Sequence, residues 1–220
     1  MGGPQSRPNP QTPLREPLVA HGGPNSAKEM KLHKLYLVAN VSGTTEPDDA
    51  DAYLESVSAA LADGIRLVQF RAKQFPAAVQ WELGAKVAAL CAAYNASLIV
   101  NDRADLALAL DASGVHLPAT GMPVSAARRL MEWRFVGASC HSVAEAIRAE
   151  EDGADYVTLS PIFPTASKPG YGPPLGLHQL KTAAHALTIP VFALGGITSE
   201  NKYDCLEAGA WGVASTRALT

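Results

Sequence analysis

The sequence predicts a (β/α)8 barrel of the TIM type, a closed ring of eight parallel strands with helices outside it. Three observations point there. Eight short apolar runs, rich in β-branched residues, recur from Lys34 onward. Ala-, Leu- and Glu-rich stretches with helical spacing separate them. Most of the runs lack polar alternation, as expected of strands covered on both faces. The competing fold, an open doubly wound sheet, calls for a glycine-rich fingerprint after its first strand. Asn40-Val41-Ser42-Gly43-Thr44 is not one.

The strand signals are Leu35–Ala39, Leu67–Arg71, Leu98–Asn101, Gly114–Leu117, Phe135–Ser139, Tyr156–Leu159, Val191–Leu194 and Gly212–Ser215. Helical spacing marks Ala50–Ala62, Ala77–Tyr94, Ala104–Leu110, Val143–Glu151 and Ser199–Ala208 among the intervening stretches. Ser142 with Glu145 three residues on reads as a capping box. Ser199 is placed to cap the helix that holds Asn201–Ala208. Gly64, Gly153 and Gly209 each follow a helical stretch just before a strand, where a glycine turns the chain tightly. After the eighth strand only Thr216–Thr220 remain, whereas a helix needs about ten residues. The eighth helix is therefore expected to be short or missing, and a homodimer is one way to cover that side of the barrel.

Residues 1–33 are rich in Pro, Gly, Asn and Ser and read as a flexible tail, leaving 34–220 as one barrel domain. Of the chain's 220 residues, 47% are hydrophobic and 18% charged, an ordinary globular balance with enough apolar side chains for one large core. A formal charge of −3 leaves no basic footprint for nucleic acid. Phosphate binding must therefore come from a few placed cations and backbone amides. The three cysteines, Cys91, Cys140 and Cys205, have neither disulfide nor zinc spacing. No apolar run approaches the roughly 18 residues that would span a bilayer, so no membrane partner is expected. With no basic-then-apolar leader pattern, a cytoplasmic enzyme is expected.

In such barrels the chemistry lies at the C-terminal ends of the strands. The second strand ends in Gln69-Phe70-Arg71-Ala72-Lys73, and residues two apart share a face. Gln69 and Arg71 therefore point the same way, with Lys73 continuing the line. Inward cations there are costly without a bound anion, although routine surface ion pairs are the simpler alternative. The third strand ends in Asn101-Asp102, where Asp102 could hold a metal, pair with Arg71 or cap the next helix. The fifth ends in Ser139-Cys140-His141, placing Ser139 and His141 on one face, and a histidine at the mouth is a natural proton carrier. The long loop after the sixth strand offers Thr165, Ser167 and Lys168 to an anion. Gly195 and Gly196 after the seventh strand, with Ser215 and Thr216 at the eighth, occupy the usual phosphate cradle. These residues describe a barrel that binds a small phosphorylated ligand beside one proton-carrying histidine.

Five blocks then occur in order: Leu67-Val-Gln-Phe-Arg-Ala-Lys73, Leu98-Ile-Val-Asn-Asp-Arg103, Gly114-Val-His-Leu117, Pro161-Ile-Phe-Pro-Thr165 with Lys168, and Leu194-Gly-Gly-Ile197. Together they resemble the thiamine-phosphate synthase / TenI family over about Leu35 to Ala218. The resemblance implies one of two activities on a thiazole phosphate. The synthase, a transferase, joins it to hydroxymethylpyrimidine diphosphate and expels pyrophosphate with Mg2+. The thiazole tautomerase, an isomerase, aromatises carboxythiazole phosphate by proton transfer without a metal.

By this resemblance, the pyrophosphate ligands map to Arg71, Lys73, Asn101 and Lys168, with Gln69 nearby, and the first magnesium carboxylate maps to Asp102. The second falls in Pro118-Ala-Thr-Gly121, where Gly121 stands in place of the acid. That replacement, and the run from Lys168 to Gly176, resemble the tautomerase branch. Its catalytic histidine maps to His141, a residue some synthases also carry. The intact Gln69, Arg71 and Lys73 point back toward the synthase. The sequence thus places the tautomerase first, with His141 as acid/base beside Ser139 and no cofactor. The Mg2+-dependent synthase comes second, and a non-catalytic or regulatory phosphate-ligand binder third.

Overall fold

A computed structural model describes residues 19–20, 30–41, 47–165 and 173–217. Its eight parallel strands are β1 (Leu35–Asn40), β2 (Leu67–Arg71), β3 (Ser97–Asn101), β4 (Gly114–Leu117), β5 (Phe135–Cys140), β6 (Tyr156–Leu159), β7 (Val191–Leu194) and β8 (Gly212–Ser215). They pair in chain order, and β8 closes on β1 with Val213 opposite Leu35. Every barrel strand lies within one residue at either end of the run that its apolar, β-branched composition marked, whereas the antiparallel pair Val19–Ala20 and Met30–Lys31, inside the stretch read as a tail, was not marked.

The helices are α1 (Pro47–Ala62), α2 (Ala77–Ala93), α3 (Ala104–Ala109), α4 (Val124–Met131), α5 (Val143–Glu151), α6 (Gly176–Ala186) and α7 (Lys202–Glu207). Helix α1 starts earlier than its apolar periodicity, at Pro47, a residue pre-set for the first helical position. Among the described residues no helix follows β8. None of the described helices is long and apolar enough to cross a membrane.

The caps divide. Ser142 Oγ accepts the Glu145 backbone N–H at 3.2 Å, as its box predicts. Glu145 Oε2 reaches back one residue further than expected, to the His141 N–H at 2.7 Å. Ser199 does not cap α7. The helix begins at Lys202, and the exchange is made by Thr198, whose Oγ1 accepts the Asn201 N–H at 3.3 Å while Asn201 Oδ1 accepts the Thr198 N–H at 2.8 Å. Ser199 Oγ instead donates to Glu200 Oε1.

Alternation divides each strand between two environments. Outward residues such as Val68, Phe70, Val100 and Val136 pack under the helices. Inward residues Tyr36, Val38, Leu67, Ile99, Phe135, Tyr156, Phe192 and Ala214 fill the barrel, joined by Leu32 from the segment just ahead of β1. Tyr36, Tyr156 and Phe192 meet edge to face, with centroids 5.5 to 5.9 Å apart, a geometry that adds about 0.5–1.5 kcal/mol per pair beyond burial. All three cysteines are buried thiols, and burial pushes Cys140 up to about 12 and Cys205 to about 11.

Candidate active site

At the mouth, β2 and β3 present the polar side chains. Arg71 Nη1 donates to Asn40 Oδ1 across the β1–β2 pair, where the two residues stand in register. Lys73 is exposed just beyond the strand. Lys73, Asn101, Asp102 and Arg103 line one cleft of about 160 Å³, whose other walls are Phe70, Ala72 and Val100 with Gln80 of α2 and Leu106 of α3. Asn101 is 9% exposed, and its Nδ2 has no hydrogen-bond partner among the described residues. A buried donor left unmet costs about 1–3 kcal/mol, so this amide is suited to an acceptor that the protein does not supply.

Asp102 adopts φ +68°, a left-handed conformation that Asp tolerates better than most residues. Its N–H is held by the His116 carbonyl at 2.9 Å. It does not cap α3. The N-cap is Arg103, no side chain caps that end, and Arg103 pairs with Asp105 at 2.6 Å. The hydrogen bond from Arg103 holds the Asp105 carboxyl down at about 2. Asp102 instead faces Gly121. A Cβ on Gly121 would lie 2.9 Å from Asp102 Oδ1 and 2.8 Å from the Pro118 ring.

At the end of β5, Ser139 is half-buried, and His141 Nδ1 lies 2.7 Å from the Ser160 carbonyl. A carbonyl only accepts, so Nδ1 carries a proton and the imidazole's basic lone pair is at Nε2. Glu145 holds the His141 backbone from below. The ring therefore sits on a rigid β5–β6 frame.

The loops after β6 and β7 are sewn together through backbone. Ile162 N–H donates to the Leu194 carbonyl at 2.9 Å and Phe163 N–H to the Gly195 carbonyl at 3.0 Å. Asn201 Nδ2 donates to the Gly196 carbonyl at 2.9 Å. A trans peptide directs its N–H opposite its carbonyl. The amides of Gly195, Gly196 and Ile197 are thus turned away from the groups that hold those carbonyls. Gly195 and Gly196 stand at φ +94° and +66°. Ser215, half-buried at the end of β8, accepts the Arg217 N–H, and Thr216 is exposed beside it. Thr165 closes the described part of the β6 loop, while Ser167 and Lys168 lie outside the described residues.

Residues 35–219 match the family model described as thiamine monophosphate synthase. The chain belongs to the thiamine-phosphate synthase family. It is 46% identical over 167 residues to a Geobacter sulfurreducens protein named provisionally as a thiamine-phosphate synthase, covering 76% of this chain and 78% of that one. It is 40% identical over 163 residues to the thiamine-phosphate synthase of Chloroflexus aurantiacus, covering 74% and 76%. A solved structure, the thiamine phosphate pyrophosphorylase of Pyrococcus furiosus, superposes with a TM-score of 0.72 at 34% identity, covering 82% of this chain and 84% of that one. The family is one of thiamine-biosynthesis enzymes, and that places this chain among them rather than among non-catalytic binders. The names are those of the synthase. Nothing in these similarities marks the tautomerase branch that Gly121 suggested.

Two polar contacts inside the barrel were not read from the sequence. Gln69, grouped there with the rim cations, is 3% exposed, and its Nε2 donates to Tyr36 Oη at 2.7 Å inside the barrel. His116, within the Gly114–Leu117 block, is 3% exposed and touches Ser139 Oγ through Nε2 at 2.9 Å. The available signal was a polar residue at an inward position of a short apolar strand.

Proposed function

We infer that this chain is a thiamine-phosphate synthase, coupling hydroxymethylpyrimidine diphosphate to a thiazole phosphate with release of pyrophosphate. The observation that carries the reading is the unmet Asn101 amide beside Lys73 and Asp102, with Arg71 on the same rim. A buried donor among cations suits the oxygens of a diphosphate. The names of the relatives support the same order of readings, the reverse of the order the sequence suggested. Arg71, Lys73 and Asn101 would bind and orient the diphosphate, and Lys168 is assigned there by resemblance alone. The amides of Gly195, Gly196 and Ile197, with Ser215 and Thr216, would hold the thiazole phosphate, helped by Thr165 and Ser167.

Magnesium fits this mouth in one form only. Among the described residues no three His, Cys, Asp or Glu side chains cluster as a metal site. Asp102 faces a glycine rather than a second acid. A site of two protein carboxylates does not fit, whereas one carboxylate completed by substrate phosphates is an ordinary arrangement for Mg2+. Asp102 would be that ligand. Such an ion, when bound, offsets the charge that develops on departing pyrophosphate.

Gly121 favours a second reading, the thiazole tautomerase. There His141 Nε2 would take and return the proton, with Arg71 or Lys73 orienting the substrate carboxylate and no cofactor required. One experiment separates the two. Purified full-length protein is assayed for magnesium-dependent thiamine phosphate formation and for aromatisation of carboxythiazole phosphate. Thiamine phosphate formation that chelation abolishes supports the synthase. Aromatisation alone supports the tautomerase, and His141→Asn should then lower its turnover by about 10²–10⁴-fold with little change in binding.

A further inference from the structure

A continuous chain of polar groups crosses the barrel core beneath the mouth. Gln69 Nε2 donates to Tyr36 Oη at 2.7 Å, and Tyr36 Oη lies 3.0 Å from Tyr156 Oη. Tyr156 Oη lies 3.2 Å from His116 Nδ1, and His116 Nε2 lies 2.9 Å from Ser139 Oγ, with Thr158 Oγ1 at 3.5 Å from the same nitrogen. Gln69, Tyr36, Tyr156 and His116 are all 3% exposed or less. The chain requires the missing side chain at Gly137, where a Cβ would sit 2.1 Å from the Tyr156 ring. That bare position on β5 lets the Tyr156 ring lie across the strand between Tyr36 and His116.

The proton positions follow in order. An amide nitrogen only donates, so Tyr36 Oη accepts from Gln69. Each tyrosine has one proton to give, and burial raises both phenols far above their ordinary range, so both keep it. The amide of Gln69 cannot accept at Nε2, so among the described partners Tyr156 Oη is the acceptor left to the buried Tyr36 proton; with Tyr36 donating to Tyr156, the Tyr156 proton goes to His116 Nδ1. An accepting Nδ1 makes the imidazole neutral with its proton on Nε2, and Nε2–H donates to Ser139 Oγ. The serine's own proton is then directed elsewhere, and Ser139 is the member of the chain that is partly open at the mouth.

We propose that this one-way chain, anchored at Gln69, fixes the Nε2–H tautomer of His116 and makes Ser139 a hydrogen-bond donor to an acceptor atom of the bound substrate. His116 is then a positioning residue acting through Ser139. The substrate half of this statement rests on the mouth being the site of the thiazole chemistry; the tautomer half does not.

The test begins with the full chain labelled with 15N-histidine, near neutral pH and without substrate, the His116 signals being assigned by their loss in His116→Gln. An unprotonated Nδ1 and a protonated Nε2 are expected. A protonated Nδ1, in either the neutral or the cationic ring, overturns the proposal whatever reaction the enzyme performs. Tyr156→Phe removes the donor to Nδ1, and two tautomers should then appear in exchange. In the assay that shows turnover, Tyr156→Phe and Ser139→Ala should each raise KM about tenfold, the size of one hydrogen bond, with kcat less affected. The double variant should be no worse than Ser139→Ala. Tyr36→Phe deletes an equally buried hydroxyl and cuts the chain from its Gln69 anchor, but keeps the Tyr156 donor beside His116 Nδ1, and should raise KM less. Equal effects of Tyr36→Phe and Tyr156→Phe, or additive effects of Tyr156→Phe and Ser139→Ala, would reduce the chain to a packing role and overturn the proposal.

Discussion

The two sides of the mouth are made of different material. Toward β2 and β3 the groups available to a ligand are side chains: Arg71, Lys73, the unmet Asn101 amide and Asp102. Toward β7 they are backbone amides, turned by carbonyls that the β6 loop and Asn201 hold from behind. The backbone side depends on two glycines in left-handed conformations and tolerates no Cβ. The side-chain side depends on residue identity, and at position 121 it carries a glycine where the family resemblance implies an acid. A phosphate held by amides can therefore be common to both readings. The two readings differ in what they ask of the side-chain side.

The largest effect should come from breaking the backbone side. In Gly196→Ala the new Cβ would lie 2.6 Å from the Pro164 carbonyl oxygen, at a φ that L residues rarely adopt. Either the β6 loop moves or the peptide turns over, and both displace the amides. Affinity for thiazole phosphate, measured by calorimetry, should fall about a hundredfold. Gly64→Ala is the matched control. It has φ +100° but nothing within 4 Å of its Cβ, and it lies at the end of α1. It should lower stability by about 1 kcal/mol and leave affinity unchanged. Unchanged affinity in Gly196→Ala would mean that the phosphate sits elsewhere.

Asp102→Asn acts on the other side and on one reaction only. Thiamine phosphate formation should fall about a hundredfold and lose its dependence on magnesium, a change equivalent to a few kcal/mol of charge neutralisation. Affinity for thiazole phosphate alone, held by the backbone side, should stay within about twofold. If it fell as far as in Gly196→Ala, the two sides would not be separable.

This division also explains what could be read from the sequence. All eight strands were legible because an inward and an outward burial surface leave runs such as Val191–Leu194 apolar throughout. The positions of Arg71, Asn101, Asp102, His141 and the Gly195-Gly196 pair at strand ends were legible because the strand runs themselves were. The role of Gln69 was not. Its spacing from Arg71 gave the face but not the depth, and its partner Tyr36 is 33 residues away on β1. His116 stayed unread for the same reason, since Ser139 and Tyr156 reach it only once the ring of strands closes. The Ser199 cap failed on a smaller matter. Thr198 and Ser199 both stand ahead of α7, and the backbone path of the β7 loop gives the exchange with Asn201 to Thr198, while no side chain caps the helix at Asn201.

The smallest effect is expected where the sequence suggests the simplest repair. Gly121→Asp would restore the acid that the family resemblance places beside Asp102. Yet Gly121 is enclosed by a turn in which its N–H donates to the Pro118 carbonyl at 2.9 Å, and its Cβ would press on both the Pro118 ring and the Asp102 carboxylate. Two carboxylates brought together without a metal repel, and the overpacking adds roughly 1–3 kcal/mol of strain. The variant should melt several degrees lower in apo form and recover part of that loss when magnesium and diphosphate are added together. Its magnesium-dependent rate should stay within about threefold of the parent, because Asp102 and substrate oxygens already complete a magnesium shell. A large gain in that rate would show instead that Gly121 is what holds the parent back from the synthase reaction, and would move the tautomerase reading to the front.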